Sequence, residues 1–322
     1  MIRYFARRIF YSVFLLVSVS VLSFALVDLA PGDFFDTLRL DPRISASTIN
    51  ALRSQHGLDR PLPVKYLLWL RSISRGEWGF SIAYDSPAAP ILRVRARNTL
   101  LLTGTATLLA WLIAIPFGIW SAARQGKLPD IFLRGMISVL LGIPDLVLAL
   151  LLLICATRSE HFPVGGMVSL DFPQMSAWAK CRDVAGHLFL PTLCLIAGSL
   201  PLLLSHVRTA IAEVLQSPFI TAARGFGIPL RRLLLHHALR AAANPLISLF
   251  GFSIGILLSS SLLVEVIFGW PGLGQLILEA ILQRDFYLVI DAAMLAAIFL
   301  IAGNLLADVL LYASDPRIRA EY

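Results

Sequence analysis

The chain has 322 residues, of which 57% are hydrophobic and only 15% are charged, and its mean hydropathy is +0.78. A chain of this composition cannot cover itself with an ordinary polar surface, so we predict an integral membrane protein. The net charge of +7 is modest, and the basic residues form no stripe with interleaved aromatics, which excludes nucleic acid as an expected partner.

The first apolar segment follows a basic N-terminus. Arg3, Arg7 and Arg8 precede an apolar run that ends at about Leu29, which is long enough to cross the core of a bilayer. Basic residues beside a span mark the cytoplasmic side, so we expect the N-terminus to lie inside. A cleaved signal peptide is the alternative, although the run exceeds a usual signal core and no small-residue cleavage site precedes Pro31.

The segment Pro31–Asn98 is the longest polar stretch of the chain. It contains two helix candidates, one from Ser47 to Gly57 and one from Pro63 to Gly76. The second candidate mixes aromatic, apolar and basic residues in the manner of a helix that lies at a membrane interface. We therefore expect an extracytoplasmic insertion between the first and second spans.

Five further apolar segments can cross a bilayer. The second span has basic residues on both sides, so its orientation follows from the number of spans and the length of the preceding loop. In the third span, Asp145 follows Pro144 near the middle, where a carboxylate is costly and usually faces a polar cavity. The five segments are Thr99–Ala122, Arg134–Thr157, His187–His206 with Pro191 and Pro201 inside it, Leu246–Phe268 and Val289–Ala313.

A polar interruption, Ser217–Pro245, separates the fourth and fifth spans and contains no acidic residue. We call it the amphipathic loop. Pro218 and Gly227 delimit a first short helix, and a turn follows at Gly227-Ile228-Pro229. The second half predicts a helix with one apolar and one basic face. Its apolar positions are Leu230, Leu234 and Ala238, its basic positions are Arg232, His236 and Arg240, and Asn244-Pro245 ends it.

The chain contains no GxxxxGK segment followed by Ser or Thr, so it has no recognisable P-loop, and ATP energy would have to come from a partner. An intramembrane enzyme is the alternative of a different class, and a passive channel is a third. Adjacent histidines point to different sides of a helix, HExxH does not occur, and the run Ser259-Ser260-Ser261 lacks a GxSxG elbow, which disfavours the enzyme. The groups considered for it are His236-His237, Asp145, Glu265 and Asp308. The three cysteines, Cys155, Cys181 and Cys194, lack metal-ligand spacing.

Several segments carry a recognisable pattern. They are DLAPGD (28–33), the run from Ile44 to Leu70, GEWGFSI (76–82), FPVGG (162–166), TAARGFG (221–227), HHALRAAANPLI (236–247) and VEVIFGWPGLG (264–274). Together they resemble the permease subunits of ATP-binding-cassette importers, in the oligopeptide, dipeptide and nickel branch. TAARGFG is similar to the EAA loop of these permeases, except that Thr221 replaces its Glu and Phe226 replaces a basic residue.

This resemblance implies a permease subunit that forms half of the translocation pathway of an ATP-driven importer of peptides, with nickel or another small solute as the alternative. It implies a second permease subunit in a heterodimer, two cytoplasmic ATPase subunits, an extracytoplasmic substrate-binding protein and surrounding membrane lipid. The chain itself would hold no cofactor, because the partner subunits hydrolyse ATP. The residues that would couple to the ATPase are Thr221, Ala222, Ala223, Arg224 and Gly227.

We therefore predict an all-α protein of a bacterial inner membrane with six transmembrane helices and both termini in the cytoplasm. The extracytoplasmic insertion lies between helices 1 and 2, and the cytoplasmic coupling loop lies between helices 4 and 5. The parts are 1–30 (tail and first helix), 31–98 (insertion) and 99–322 (five-helix permease core with coupling loop 217–245). Asp145 and Glu265 are the candidate pathway residues; for Glu265, near the outer end of its span, a solvated or capped carboxylate at the interface is the alternative. We predict no catalytic residue and no metal site.

Overall fold

The computed structural model describes residues 2–29, 32, 34–35, 45–55, 57, 59–159 and 162–314 of the chain. Most of them are helical, which confirms the all-α prediction, and β1 (Phe80–Ser81) pairs with β2 (Ser86–Pro87) in one short antiparallel hairpin. The helices are α1 (Ile2–Leu29), α2 (Ala46–Gln55), α3 (Leu62–Ser74), α4 (Ala88–Ala123), α5 (Leu128–Leu141), α6 (Asp145–Ser159), α7 (Ala177–Leu215), α8 (Pro218–Gly225), α9 (Leu230–Arg232), α10 (Leu239–Ala241), α11 (Ala243–Ile267), α12 (Leu273–Leu282) and α13 (Phe286–Ser314). A π-helical turn, Leu233–Ala238, joins α9 to α10, and a 3-10 turn covers Phe172–Gln174.

Five of the described helices are long and apolar enough to cross a membrane, namely α1, α4, α7, α11 and α13. The pair α5 and α6 makes a sixth span when the two helices are counted together. Both helix candidates of the insertion are confirmed, as α2 and α3. The predicted insertion boundary at Pro31 and the predicted C-terminal tail, residues 315–322, lie outside the described residues.

The predicted third span is not a continuous helix. It bends by 94° between α5 and α6. The break falls at Gly142–Pro144, where Pro144 has no N–H to donate and disfavours helical geometry at Ile143. Asp145 is the first residue of α6, so it lies at the break of this bent pair and not inside a continuous helix.

The fourth span is longer than predicted. The prediction was His187–His206, whereas α7 has 39 residues and contains both Pro191 and Pro201. Ser176 caps its start by accepting a hydrogen bond from the Ala179 N–H at 3.4 Å. At 1.5 Å per residue the helix is about 58 Å long, roughly twice the thickness of a bilayer core. The apolar pattern marked only the part of α7 that matches the hydrocarbon, and polar sequence continues the helix at both ends.

The chain divides into two compact units, whose boundaries fall inside α4 and α13. The first unit comprises Leu100–Trp270 and the chain from Leu300 onward, together with the first four residues. Its core is a single apolar cluster that includes the fully buried Leu102, Leu203, Ile211 and Trp270.

The second unit comprises Phe5–Thr99 and Pro271–Phe299. Polar side chains of its first segment bind carboxylates of its second segment in three buried or half-buried places. Trp69 donates to Asp291 at 2.7 Å, Ser81 donates to Asp285 at 2.6 Å, and Tyr84 donates to Glu279 at 2.6 Å while Arg95 pairs with the same carboxylate at 2.9 Å. Burial and the Glu279 carboxylate raise the pKa of Tyr84, so its hydroxyl stays a donor. These bonds anchor the insertion to the start of α13 and, through Glu279, to α12, a helix that the sequence analysis missed.

Small residues bring α11 and α13 into close contact in the first unit. A Cβ atom on Gly251 would lie 2.5 Å from the Ala307 Cβ, and one on Gly303 would lie 2.5 Å from the Ile254 Cγ2. Such distances leave no room for a side chain. The glycines therefore set the approach of the two helices, as small residues do in membrane bundles.

Gly251→Ala is expected to destabilise the folded protein by about 1–3 kcal/mol, because Ala307 is fixed to a helix backbone and cannot rotate away. Gly135→Ala is the matched control, since no atom lies within 4 Å of a Cβ at that position. The control should be neutral or stabilising by up to about 1 kcal/mol. Thermal unfolding in detergent measures both variants, and equal stability of the two would contradict close packing at Gly251.

Candidate functional site

The first half of the amphipathic loop is a short exposed helix, α8, held by one side chain. Ile220 is fully buried, whereas the ring of Phe219 is half exposed and Phe226, just after the helix, is 86% exposed. Of the predicted coupling residues, Ala223 is half-buried and the others are exposed, namely Thr221, Ala222, Arg224 and Gly227. The helix thus presents these residues to its surroundings while Ile220 fixes it to the rest of the unit.

The end of α8 is a Schellman motif, in which two backbone N–H groups turn back onto the last helical carbonyls. The Ile228 N–H donates to the Ala223 carbonyl at 3.4 Å, and the Gly227 N–H donates to the Arg224 carbonyl at 3.0 Å. Gly227 has φ +77°, the left-handed conformation that glycine adopts without a Cβ penalty. The prediction that Gly227 ends the first helix in this conformation is confirmed.

The second half of the loop is helical, but its faces differ from the prediction. Leu233 and Ala238 are fully buried, while Leu230, predicted on the apolar face, is 48% exposed. The reason is the π-helical turn, because i→i+5 bonding places residues five apart on one face. The helix also ends earlier than Asn244-Pro245: Ala242 interrupts it, and Pro245 lies in the first turn of α11, where a missing N–H costs little.

The two adjacent histidines were expected to point to different sides of a helix, yet both border one pocket. His236 and His237 line one pocket, together with Arg232 and Arg240. The π-helical turn widens the helix, so that neighbouring residues are separated by a smaller rotation than in an α-helix. Within the described ranges, no three His, Cys, Asp or Glu side chains are placed to hold a metal ion.

A buried carboxylate, Asp130, joins three helices of the first unit close to the loop. Asp130 lies in the first turn of α5 and is 0% exposed. Arg208 of α7 binds it through two nitrogens, Nε at 2.6 Å and Nη2 at 2.9 Å. Ser121 of α4 donates at 2.6 Å, and the Gly126 N–H in the turn before α5 donates at 2.9 Å. Four hydrogen bonds therefore satisfy both oxygens of the carboxylate.

This bidentate ion pair fixes α7 to α4 and α5 seven residues before α7 ends at Leu215. Breaking a buried ion pair is strongly destabilising, because it leaves one charge buried without its partner. The pair therefore keeps the end of α7 that leads into the amphipathic loop in one position. The sequence analysis singled out neither Arg208 nor Asp130. A lone acid in a basic stretch, Lys127–Arg134, was the available signal.

Asp145 lies where three helices of the first unit meet. At the start of α6, its Oδ2 accepts a hydrogen bond from Ser260 of α11 at 3.0 Å. Its Oδ1 lies 2.6 Å from the point where a Cβ of Gly198 in α7 would be. Asp145 is partly buried, and the bend at Pro144 together with the missing side chain at Gly198 makes room for it.

Glu265 follows Ser260 by five residues on α11, about 7.5 Å further along the helix axis. It is 0% exposed, which rules out a solvated carboxylate and leaves the capped alternative open. Its backbone carbonyl accepts the Trp270 N–H at 2.8 Å in the turn after α11. In the same turn, the Phe268 carbonyl accepts the Gly166 N–H at 3.0 Å, which brings two of the family-like segments into contact.

Comparison with known proteins gives consistent matches along the chain. A family described as "Binding-protein-dependent transport system inner membrane component" matches residues 114–320, and the N-terminal family of the same systems matches residues 1–100. The chain is 34% identical over 320 residues to the oligopeptide transport system permease protein AppB of Bacillus subtilis. It is 30% identical over 326 residues to OppB of Mycobacterium tuberculosis and 29% identical over 336 residues to the dipeptide permease DppB of Escherichia coli. Each of these three alignments covers 99% of both chains.

One solved structure with a similar fold is the MetNI methionine ABC transporter in an inward-facing conformation. The TM-score is 0.57, and the alignment covers 70% of this chain and 96% of the other chain. The sequence identity is 15%. This likeness therefore concerns the fold.

Arg208→Gln is expected to destabilise the folded protein by about 3–5 kcal/mol, because it leaves the Asp130 carboxylate buried without its cation. Asp130→Asn combined with Arg208→Gln should recover much of that loss, since no charge then remains buried. Arg134→Gln is the control: its side chain is 53% exposed and 3.7 Å from Asp130, so it should change stability by less than about 1 kcal/mol. Thermal unfolding in detergent measures the series. If Arg208→Gln loses no more stability than the control does, the Asp130–Arg208 pair does not fix α7 to its neighbours.

Proposed function

Because the chain belongs to the family of inner-membrane components of binding-protein-dependent transport systems, we propose that it forms half of the translocation pathway of an ATP-driven peptide importer. The full-length relatives named above as oligopeptide and dipeptide permeases support peptides as the substrate class, ahead of nickel or another small solute. The proposed location is a bacterial inner membrane.

Coupling to the ATPase is supported by one observation above all: α8 is exposed and ends in a Schellman turn that requires Gly227. A tip with an exposed aromatic ring, Phe226, and a single charged residue, Arg224, suits insertion into a cleft on a partner that offers apolar and acidic surface. The Arg224 side chain makes no hydrogen bond or ion pair within the described part of the chain, so its guanidinium remains available. We assign ATPase contact to the predicted residues of this helix and its Schellman turn.

Movement of α8 would be transmitted along rigid elements rather than through a flexible hinge. On one side, two residues, Gln216 and Ser217, separate α8 from α7, which the Asp130–Arg208 pair fixes to α4 and α5. On the other side, the buried Leu233 and Ala238 hold the second half of the loop, which leads into α11. ATP-driven closure of the partners would then tilt α7 and α11 together, which is a rigid-body switch.

Asp145 and Glu265 remain the proposed pathway residues. Both are carboxylates in or beside apolar helices of the first unit, and such groups are costly unless they serve a polar route or a partner. Asp145 lies where α6, α7 and α11 meet, so a movement of these helices would change the surroundings of its carboxylate.

The proposed partners follow from the same role. They are a second permease subunit in a heterodimer, two cytoplasmic ATPase subunits that bind and hydrolyse ATP, and an extracytoplasmic substrate-binding protein. Membrane lipid covers the exposed apolar side chains of the spans. The proposed orientation puts both termini and the amphipathic loop in the cytoplasm and the 31–98 insertion outside.

Gly227→Asp and Arg224→Glu are each expected to weaken ATPase co-purification by at least tenfold and to abolish peptide uptake. The first change puts a side chain into a left-handed turn, and the second reverses the one charge near the tip. Uptake of a labelled dipeptide by cells that carry the complete importer, and pull-down of the ATPase, measure the two effects.

Gly76→Asp and Arg75→Glu are the matched controls. Gly76 has φ +79° with no atom near a Cβ, as has Gly227 with φ +77°, so both glycine changes carry the same backbone strain. The controls lie in the insertion and should leave ATPase association intact. If the loop variants co-purify with the ATPase as well as the controls do, the amphipathic loop is only a positive membrane anchor and the proposed coupling is wrong.

Thiol labelling tests the orientation. With the other cysteines replaced by serine, Thr221→Cys should react with a membrane-impermeant maleimide only after the cells are opened, because Thr221 is exposed on the loop proposed to lie inside. In a separate variant that keeps Cys181 as its one cysteine, this thiol, which is exposed near the start of α7, should react in intact cells. Labelling of position 221 in intact cells would overturn the topology.

A further inference from the structure

The base of the amphipathic loop contains a second feature, distinct from the tip at Arg224–Gly227. A pocket of about 460 Å³ is lined by Phe219 at the start of α8 and by residues of the returning helix. These are Arg232, His236, His237, Arg240 and Ala241. We call it the basic pocket.

The positive charge of the basic pocket is not neutralised within the described part of the chain. The side chains of its two arginines and two histidines make no hydrogen bond or ion pair there, and the whole loop 217–245 contains no Asp or Glu. Both arginine side chains are exposed. Two guanidinium groups with donors in a rigid fork are well suited to a phosphate, which they bind through paired N–H···O bonds.

The pocket lies at the end of the loop that leads into the predicted fifth span. Arg240 precedes Leu246, the predicted start of that span, by six residues, which is about 9 Å at the rise of a helix. The polar headgroup layer is roughly 5–8 Å thick on each side of that core, and a long arginine side chain extends across the remaining gap. The half-exposed ring of Phe219 supplies an apolar wall beside the cations.

We propose that the basic pocket binds the phosphate group of an anionic membrane lipid. The lipid phosphate would satisfy Arg232 and Arg240, and the apolar wall at Phe219 would contact the glycerol end of the acyl chains. Basic pockets at the cytoplasmic ends of transmembrane helices are suited to such headgroups. A bound lipid would fix the end of the loop that leads into α11. The inference requires that the loop base lies at the membrane surface, and it does not depend on ATPase coupling through α8.

The test uses the full-length chain purified in mild detergent and incubated with cardiolipin, phosphatidylglycerol or phosphatidylcholine. Native mass spectrometry counts the lipids retained. The wild-type chain should retain the two anionic lipids in preference to phosphatidylcholine. Arg232→Gln and Arg240→Gln should each weaken the apparent affinity for the anionic lipids about fivefold, and the double variant about 25-fold, as expected when cations are removed from an anionic surface.

Arg231→Gln is the matched control, because Arg231 is an exposed neighbour of equal charge that does not line the pocket. It should leave lipid retention unchanged. An equal loss in this control, or equal retention of phosphatidylcholine, would overturn the site, because either result indicates charge or detergent effects without a pocket.

Two further outcomes would also overturn the assignment. If millimolar inorganic phosphate binds with the same dependence on Arg232 and Arg240 and displaces the lipid, the ligand is free phosphate. If the double variant retains lipid normally but fails to pull down the ATPase, the pocket contacts a protein surface. Failure of the coupling variants Gly227→Asp and Arg224→Glu to show an effect would leave the lipid result unchanged, so the two hypotheses are separable.

Discussion

The Asp130 carboxylate is the interaction on which the geometry of the loop depends. Two nitrogens of Arg208, the Ser121 hydroxyl and the Gly126 N–H all donate to it, and no part of it is exposed. A single buried charge thus fixes α4, α5 and α7 at one end of the first unit. A force applied to α8 would pass into α7, which the ion pair at Arg208 fixes only seven residues from its end. Without that ion pair, α7 would bend or slide under the same force.

Interruptions of helices define the other candidate positions. Pro144 produces the 94° bend between α5 and α6. Directly after the bend, Asp145 accepts a hydrogen bond from Ser260 and packs against Gly198, which has no side chain to block it. The Schellman turn at Gly227 reverses the chain between the two halves of the loop. The π-helical turn collects arginine and histidine side chains in one pocket. In each case a local departure from α-helical geometry brings polar groups together within an otherwise apolar fold.

The sequence was sufficient for the features that depend on composition and short-range pattern. Five spans, the two insertion helices and the left-handed Gly227 follow from hydropathy, capping residues and glycine chemistry, and the family resemblance is confirmed by the matches to residues 1–100 and 114–320. The missed features depend on tertiary contacts. Arg208 and Asp130 are 78 residues apart, and nothing in either neighbourhood specifies the other. The π-helical turn and α12 were likewise invisible, because their apolar spacing resembles that of an α-helix or a loop between spans.

The contact between the loop tip and the proposed ATPase partner can be measured directly by photo-crosslinking at position 226. Phe226 is 86% exposed, and an aromatic photo-reactive analogue there would preserve the shape of the tip. In the assembled importer, irradiation should give a covalent adduct with the cytoplasmic ATPase, whereas the same analogue at Phe132, which is 75% exposed on an apolar helix, should give none. An importer that hydrolyses ATP but yields no ATPase adduct from position 226, or yields as much from position 132, would contradict coupling through this loop.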